Sequence, residues 1–236
     1  MLNVIYLHGF ASSPGAAKAR AFEEHLSQLG VRVVRADLRV PTRDHLRLSA
    51  MVARTKELVR EHAPIALVGS SLGGLVVVIV ITQEPSLRGA VLLAPAFGFA
   101  ERWPMLVGPE VFERWRAGEP FITPDHAGGP ALRIDFGFYE DALAQEAAWL
   151  AQLGQPCSSC EARQARSAAW LIFHGRQDAV VDLGRSRAFA AGLPHAELME
   201  LDDGHELIQS LPVMLPRVAA FLAGLGAHPG DGGAGP

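Results

Sequence analysis

The pentapeptide Gly69-Ser70-Ser71-Leu72-Gly73 matches the spacing G-x-S-x-G, with a serine between two glycines. It follows the apolar run Ile65-Ala66-Leu67-Val68 and precedes a second apolar run, the context of a strand that turns sharply into a helix. Such a turn strains the backbone of its central residue and leaves room only for small neighbours. The strain lifts the Ser71 hydroxyl above the strand end, where the free N–H groups of a helix N-terminus favour developing negative charge. Ser71 is therefore a candidate nucleophile for acyl transfer. Ser70 falls off the apex of the turn. The bland alternative is a Gly/Ser-rich structural turn.

A serine hydroxyl is a weak nucleophile near neutral pH and needs a base within hydrogen-bond reach. Of nine histidines, His205 stands in Asp202-Asp203-Gly204-His205, which closes a strand and opens the last loop. Reactive groups in open parallel sheets gather outside the carboxyl ends of the strands. The competing reading is a solvated loop histidine. The base must be held in one tautomer by a carboxylate. Asp178 fits, just past the strand that ends His174-Gly175. Its bland alternative is a helix N-terminal acid, a role that suits Asp182 better. An oxyanion needs preorganised donors, each worth about 3–4 kcal/mol. The backbone N–H of Leu72, directly after the nucleophile, is one candidate. The N–H of Phe10 is the other, because Gly9 lets the loop after the first strand approach closely. His8 reads as a structural loop histidine.

The elements that must position these groups alternate short apolar runs with longer amphipathic ones, the signature of repeated β-α units. Strands are predicted at Leu2–His8, Val31–Ala36, Ile65–Gly69, Gly89–Ala94, Trp170–His174 and Glu197–Leu201. Helices are predicted at Pro14–Leu29, Asp44–His62, Leu72 to about Thr82, Asp182–Leu193 and Leu211–Leu225. Near-continuous apolar strands imply burial on both faces, hence an α/β fold with a mostly parallel, doubly wound sheet of about six strands. The rhythm breaks between Pro95 and Ala168, too long a gap for an ordinary crossover. This stretch holds ten of the seventeen aromatic residues. A hairpin of Phe121–Thr123 with Leu132–Ile134 and a helix over Phe138–Leu153 are the elements legible in it. It reads as a cap inserted between the fourth and fifth strands, at about residues 97–168. Its aromatics either form an acyl pocket or pack the cap onto the sheet. Phe97, Trp103 and Trp115 are the candidate substrate contacts.

The chain has 236 residues, 49% of them hydrophobic and 19% charged, with a mean hydropathy of +0.17. That composition excludes a disordered chain, and the length suits one domain over residues 1–225; the Gly/Pro-rich tail at 226–236 is expected to be disordered. The net charge is −4, and the 21 basic residues are scattered, so a nucleic-acid partner is not expected. The N-terminus shows no signal-type segment. Residues 63–82 are uncharged over the length of a spanning helix, but their glycine- and serine-containing middle suits a turn rather than a bilayer. No membrane span and a cytoplasmic location are expected. Cys157 and Cys160 have CxxC spacing without a second pair, so two incidental thiols are expected rather than a metal or redox site.

Three segments carry a resemblance: Tyr6-Leu7-His8-Gly9-Phe10-Ala11-Ser12-Ser13-Pro14, then Lys18-Ala19, then Leu67-Val68-Gly69-Ser70-Ser71-Leu72-Gly73-Gly74. Together they resemble the small bacterial serine esterases of the α/β-hydrolase superfamily, in particular the YqiA-like esterases. The closer match covers about the first ninety residues, and the superfamily resemblance runs on through Asp178 and His205. The chain order Ser71, Asp178, His205 is the one described for α/β-hydrolases. The strand bearing the His-Gly loop comes first, so the two preceding strands of many larger members are not expected here. The resemblance implies an α/β-hydrolase fold and hydrolysis of short to medium acyl esters or thioesters as small-molecule substrates, without a cofactor. A thioesterase, a depalmitoylating enzyme or a peptidase could use the same three residues. A binding protein could keep the fold without catalysis. A dehalogenase is disfavoured, since that chemistry needs a carboxylate where Ser71 stands.

Overall fold

The architecture is that of a computed structural model, which describes residues 2–153 and 167–226. Six strands form one parallel sheet: β1 Leu2–Leu7, β2 Val31–Ala36, β3 Ala66–Ser70, β4 Gly89–Leu93, β7 Ala169–Gly175 and β8 Ala196–Leu201. Their order is β2-β1-β3-β4-β7-β8, with register pairs such as Leu7↔Gly69 and Ser70↔Leu93. Because every neighbouring pair of strands in this sheet is parallel, all six carboxyl ends share one edge. The loops bearing Phe10, Ser71, Asp178 and His205 all follow strands on that edge.

Both sheet faces are covered. The helices α1 Ala17–Ser27 and α8 Leu211–Gly226 bury Phe22, Leu26, Met214 and Leu222 against one face. On the other lie α2 Leu48–His62, α3 Leu72–Ile81 and the aromatic side chains of the stretch between β4 and β7. All ten residues of α3 are buried, which is why its sequence has no polar stripe. The uncharged run at 63–82 is thus β3, a turn and α3. Among the described residues no helix is long and apolar enough to cross a membrane.

Two helices begin later than their sequence pattern predicts. Ser13 takes the amides of Gly15 and Ala16 in a turn, so α1 starts at Ala17 rather than Pro14. A loop over residues 42–47 uses its own groups, with the His45 amide on Thr42 Oγ1 and the Arg47 amide on the Val40 carbonyl, so α2 starts at Leu48 rather than Asp44. Near the chain's end, Asp182 caps α7 Leu183–Ala191 by accepting from the Gly184 amide at 2.9 Å, the role the sequence suggested for it.

The stretch between β4 and β7 holds the predicted hairpin, β5 Phe121–Thr123 with β6 Leu132–Ile134, and a helix α6 Gly137–Leu153. It also holds two helices that sequence periodicity did not reveal, α4 Phe99–Val107 and α5 Pro109–Arg116. Each is short, and Gly108 at φ +82° followed by Pro109 at the first helical position divides them. Cys157 and Cys160 lie outside the described residues, as do residues 227–236.

The buried Glu146 on α6 fixes α4 in place. Its carboxylate accepts from the Phe99 amide at 3.0 Å and from the Ala100 amide at 2.7 Å, which satisfies two free donors of the α4 N-terminus. Burial pushes its pKa up, while the amides of Ala100, Phe99 and Gly98 pull it back. Glu146→Ala strips both amides of their partner, and a buried polar group left unpaired costs about 1–3 kcal/mol. A lowered urea midpoint is the expected result; an unchanged midpoint would show that Glu146 does not hold α4.

Candidate active site

Ser71 stands between β3 and α3 with φ 51° and ψ −114°, a backbone region that costs a non-glycine residue about 1–3 kcal/mol. The surroundings pin it there. Its amide donates to the Leu93 carbonyl at 2.9 Å, and its carbonyl accepts from the amides of Gly74 and Ala96. The flanking glycines are required by close approach: a Cβ on Gly69 would collide with the Gly73 carbonyl, and one on Gly73 with the Leu7 carbonyl.

From this turn a chain of hydrogen bonds runs across the strand ends. Ser71 Oγ–H donates to His205 Nε2 at 3.0 Å, and His205 Nδ1–H donates to Asp178 Oδ2 at 2.8 Å. The three residues are 134 and 27 positions apart in sequence. The loop carrying His205 is shaped by buried Asp203, whose two oxygens accept from the amides of Gly204 at 2.7 Å and Ser210 at 2.9 Å.

Asp178 is more fully held than the sequence indicated. Its Oδ1 accepts from the amides of Val180 and Val181, both at 2.8 Å. Its Oδ2, besides His205, lies 3.2 Å from Nε2 of His174. His174 is completely buried, with Nε2 also 3.1 Å from the Val181 carbonyl and Nδ1 2.8 Å from Ser186 Oγ. A proton on Nε2 serves both acceptors and leaves Nδ1 to accept from the Ser186 hydroxyl. His174 is thus a second support for the acid, and its place four residues before Asp178, on the strand end, was the available sequence signal. Burial alone would raise the Asp178 pKa. Hydrogen bonds from His174, His205 and the Val181 amide instead hold it well below the usual carboxylate range.

That depression has a sign. A carboxyl with a folded pKa below its unfolded value stabilises the fold above the unfolded value, and this contribution fades as pH falls toward the folded one. The stability difference between the native chain and Asp178→Asn is therefore expected to be largest near neutral pH and to shrink below about pH 4, where the unfolded carboxyl takes up its proton. Urea denaturation across that range measures it; a gap that widens with acid would reverse the assignment.

The loop after β1 passes directly beside the serine, such that a Cβ on Gly9 would lie 3.3 Å from Ser71 Cβ. Among the described residues, neither the Phe10 amide nor the Leu72 amide is taken by another protein group. His8 has both ring nitrogens engaged by backbone: the Leu38 amide donates to Nε2 at 3.0 Å and Nδ1–H donates to the Gly9 carbonyl at 2.9 Å. It is a structural histidine that ties the loop to the end of β2.

A cavity of about 560 Å³ opens over Ser71 and His205. Its apolar wall comes from Phe10 and from the β4–β7 stretch, chiefly Phe99, Trp103, Leu106 and Phe121. Trp103 therefore faces this cavity, and its buried indole N–H has no hydrogen-bond partner among the described residues. Phe97 and Trp115 do not line it. Phe97 packs on Phe189 and Trp149, with ring centroids 4.7 and 6.0 Å away. Trp115 is buried with its indole N–H on the Ile134 carbonyl at 2.8 Å, and borders a separate cavity of about 480 Å³. The sequence left Phe99 and Phe121 unassigned because ten aromatics in one stretch carry no sign of which ones face inward. Among the described residues, no group of three or more His, Cys, Asp or Glu side chains could hold a metal ion.

A family model described as "Uncharacterised protein family (UPF0227)" matches residues 3–223, so the likeness runs well beyond the first ninety residues and across the aromatic stretch. No curated protein is matched by the sequence. Among solved structures, Est1E from Butyrivibrio proteoclasticus is similar with a TM-score of 0.68 at 22% identity, over 95% of this chain and 88% of its own. Mouse alpha/beta hydrolase domain-containing protein 10 gives a TM-score of 0.72 at 18% identity, over 94% and 90% of the two chains. The esterase domain from a Rhodothermus marinus protein gives 0.61 at 16%, over 93% and 85%. The fold is the α/β-hydrolase fold.

Proposed function

We propose that this chain, which belongs to the UPF0227 family and has the α/β-hydrolase fold, is a serine hydrolase that cleaves carboxylic esters of short to medium acyl chains. The observation that carries the reading is the position of His205, hydrogen-bonded at once to Ser71 Oγ and to Asp178. A histidine so placed can take the serine proton while the carboxylate stabilises the resulting imidazolium.

Acyl transfer then proceeds in two halves. Ser71 Oγ attacks the substrate carbonyl as its proton passes to His205 Nε2. The amides of Phe10 and Leu72 stabilise the oxyanion, and collapse of the tetrahedral intermediate expels the alcohol, which leaves with the proton from His205. Water, deprotonated by His205, attacks the acyl-enzyme. The second tetrahedral intermediate releases the acid and returns the proton to Ser71. The stretch between β4 and β7 acts as a cap whose Phe99, Trp103 and Phe121 receive the apolar part of the substrate, in a site that needs no cofactor. Ferulic acid bound to Est1E from Butyrivibrio proteoclasticus brings aromatic acyl groups within the range worth testing.

The test is a panel of p-nitrophenyl esters of increasing chain length, beside acyl-thioesters, feruloyl esters and peptides. Hydrolysis of short to medium esters, falling with longer chains, is the expected result, because the accepted carbons measure the depth of the apolar wall. A chain active only on thioesters or peptides would move the reading to another hydrolase using the same residues. Inactivity on every member, with no covalent labelling of Ser71, would favour a binding protein.

A further inference from the structure

Phe10, Phe99, Trp103 and Phe121 line one side of the cavity over Ser71. Its aromatic wall belongs to the sheet face covered by α2, α3 and the cap, whereas Tyr6 and the start of α1 reach it from the opposite face. On that second side stands Lys18, the second residue of α1 and one of only two lysines in the chain. Its side chain is 9% exposed. Its one ion-pair partner among the described residues is Glu206, whose carboxylate is 3.7 Å away on a side chain 75% exposed.

That pairing is poor compensation for a buried ammonium. Taking a charge out of water is costly unless it is closely paired and hydrogen-bonded, and an exposed partner on a flexible side chain returns little. Burial accordingly lowers the Lys18 pKa, with Glu206, Asp203 and Asp178 opposing the shift. Arg102, also on the cavity wall, donates to the Val180 carbonyl and has no ion-pair partner among the described residues. Of the Lys, Arg, Asp and Glu side chains, Lys18, Arg102 and Glu206 line the cavity, and the carboxylates of Asp178 and Asp203 stand behind its wall. A buried cation whose one close carboxylate is itself exposed, on the wall of the cavity that holds Ser71, is placed to take a further anionic partner.

We propose that Lys18 is a specificity-determining residue that binds a carboxylate on the substrate, so that the site prefers esters bearing a negative charge on the part of the molecule lying opposite the aromatic wall. This rests on the serine-hydrolase reading of Ser71. The ammonium donates a charge-assisted hydrogen bond to the carboxylate, stronger than a neutral bond and supported by partial exclusion of water.

Two ester pairs differing only in a carboxylate test it. One places the charge on the acyl side, p-nitrophenyl glutarate monoester against its methyl ester; the other places it on the leaving group, 4-acetoxybenzoate against methyl 4-acetoxybenzoate. Spontaneous hydrolysis is subtracted as background for every ester, and kcat/KM is divided by the spontaneous rate only for the leaving-group pair, because the free carboxylate of the glutarate monoester attacks its own ester in solution. The native chain is expected to prefer the charged member of one pair by roughly tenfold or more, the scale of a hydrogen bond to a charged group. Lys18→Met is expected to collapse that ratio and Lys18→Arg to retain most of it. A structural role alone would lower both members together and leave the ratio unmoved, which would overturn the proposal. So would a native chain that hydrolyses both pairs without preference, a result that needs no variant and leaves the hydrolase reading intact. Failure to hydrolyse any of the four esters, with no labelling of Ser71, would instead defeat the reading on which this inference rests.

Discussion

Ser71→Ala is expected to lose ester hydrolysis by about 10⁴–10⁶-fold in kcat, the range seen when a serine nucleophile is removed from a working triad. The loss is this large because nothing near the hydroxyl can replace it. Ser70 is buried within β3 and is off the turn, and a water at the Ser71 position would attack without forming an acyl-enzyme. The fold should survive. Alanine keeps the Cβ and the same backbone strain, the serine side chain makes no capping bond to α3, and only the hydrogen bond to His205 is lost, at about 0.5–1.5 kcal/mol. Initial rates on p-nitrophenyl esters and a urea midpoint check both halves. Activity above about one tenth of native in a folded variant would remove Ser71 from the mechanism.

Asp178→Asn should cost about 10⁴-fold in kcat, and the reason is specific to how this acid is held. Two backbone amides point at Oδ1, so the asparagine carbonyl is obliged to stay there and its NH₂ must occupy the Oδ2 position. That group then faces His205 Nδ1 as a donor. His205 responds by accepting at Nδ1 and carrying its proton on Nε2, where it can no longer take one from Ser71. The same NH₂ also confronts the Nε2–H of His174, adding a donor–donor conflict in a fully buried place. His174→Gln is the companion variant. It leaves the reacting atoms untouched and is expected to lower kcat modestly while shifting its pH profile, since His174 acts only through the acid. Native-like rates for Asp178→Asn would mean that Asp178 does not orient the base.

How far the sequence could go is clear from particular residues. Ser71 was legible because close packing leaves no room for a Cβ at Gly69 or Gly73, so the spacing itself records the turn. Asp178 and His205 were legible because strand ends on one edge of a parallel sheet must share a neighbourhood, and the apolar runs marked those ends. The starts of α1 and α2 were not, because Ser13 and Thr42 divert backbone amides into local turns that periodicity does not register. The partition of the aromatics was not legible either. Whether Phe97 faces the cavity or Phe189 depends on how α6 and α7 pack, a long-range property. His174 looked like an ordinary strand residue because its role depends on Ser186 and Val181, which follow after the chain has turned back.

The central claim is that the Ser71 hydroxyl is activated by His205 in the folded chain. A fluorophosphonate probe tests it most directly, because it bonds to a serine oxygen, expelling fluoride, only where that oxygen is made nucleophilic. Mass spectrometry of the labelled native protein is expected to place one phosphonyl group on the peptide containing Ser71, absent in Ser71→Ala and greatly slowed in Asp178→Asn. A folded native chain that stays unlabelled, or labelling that persists in Ser71→Ala, would contradict it.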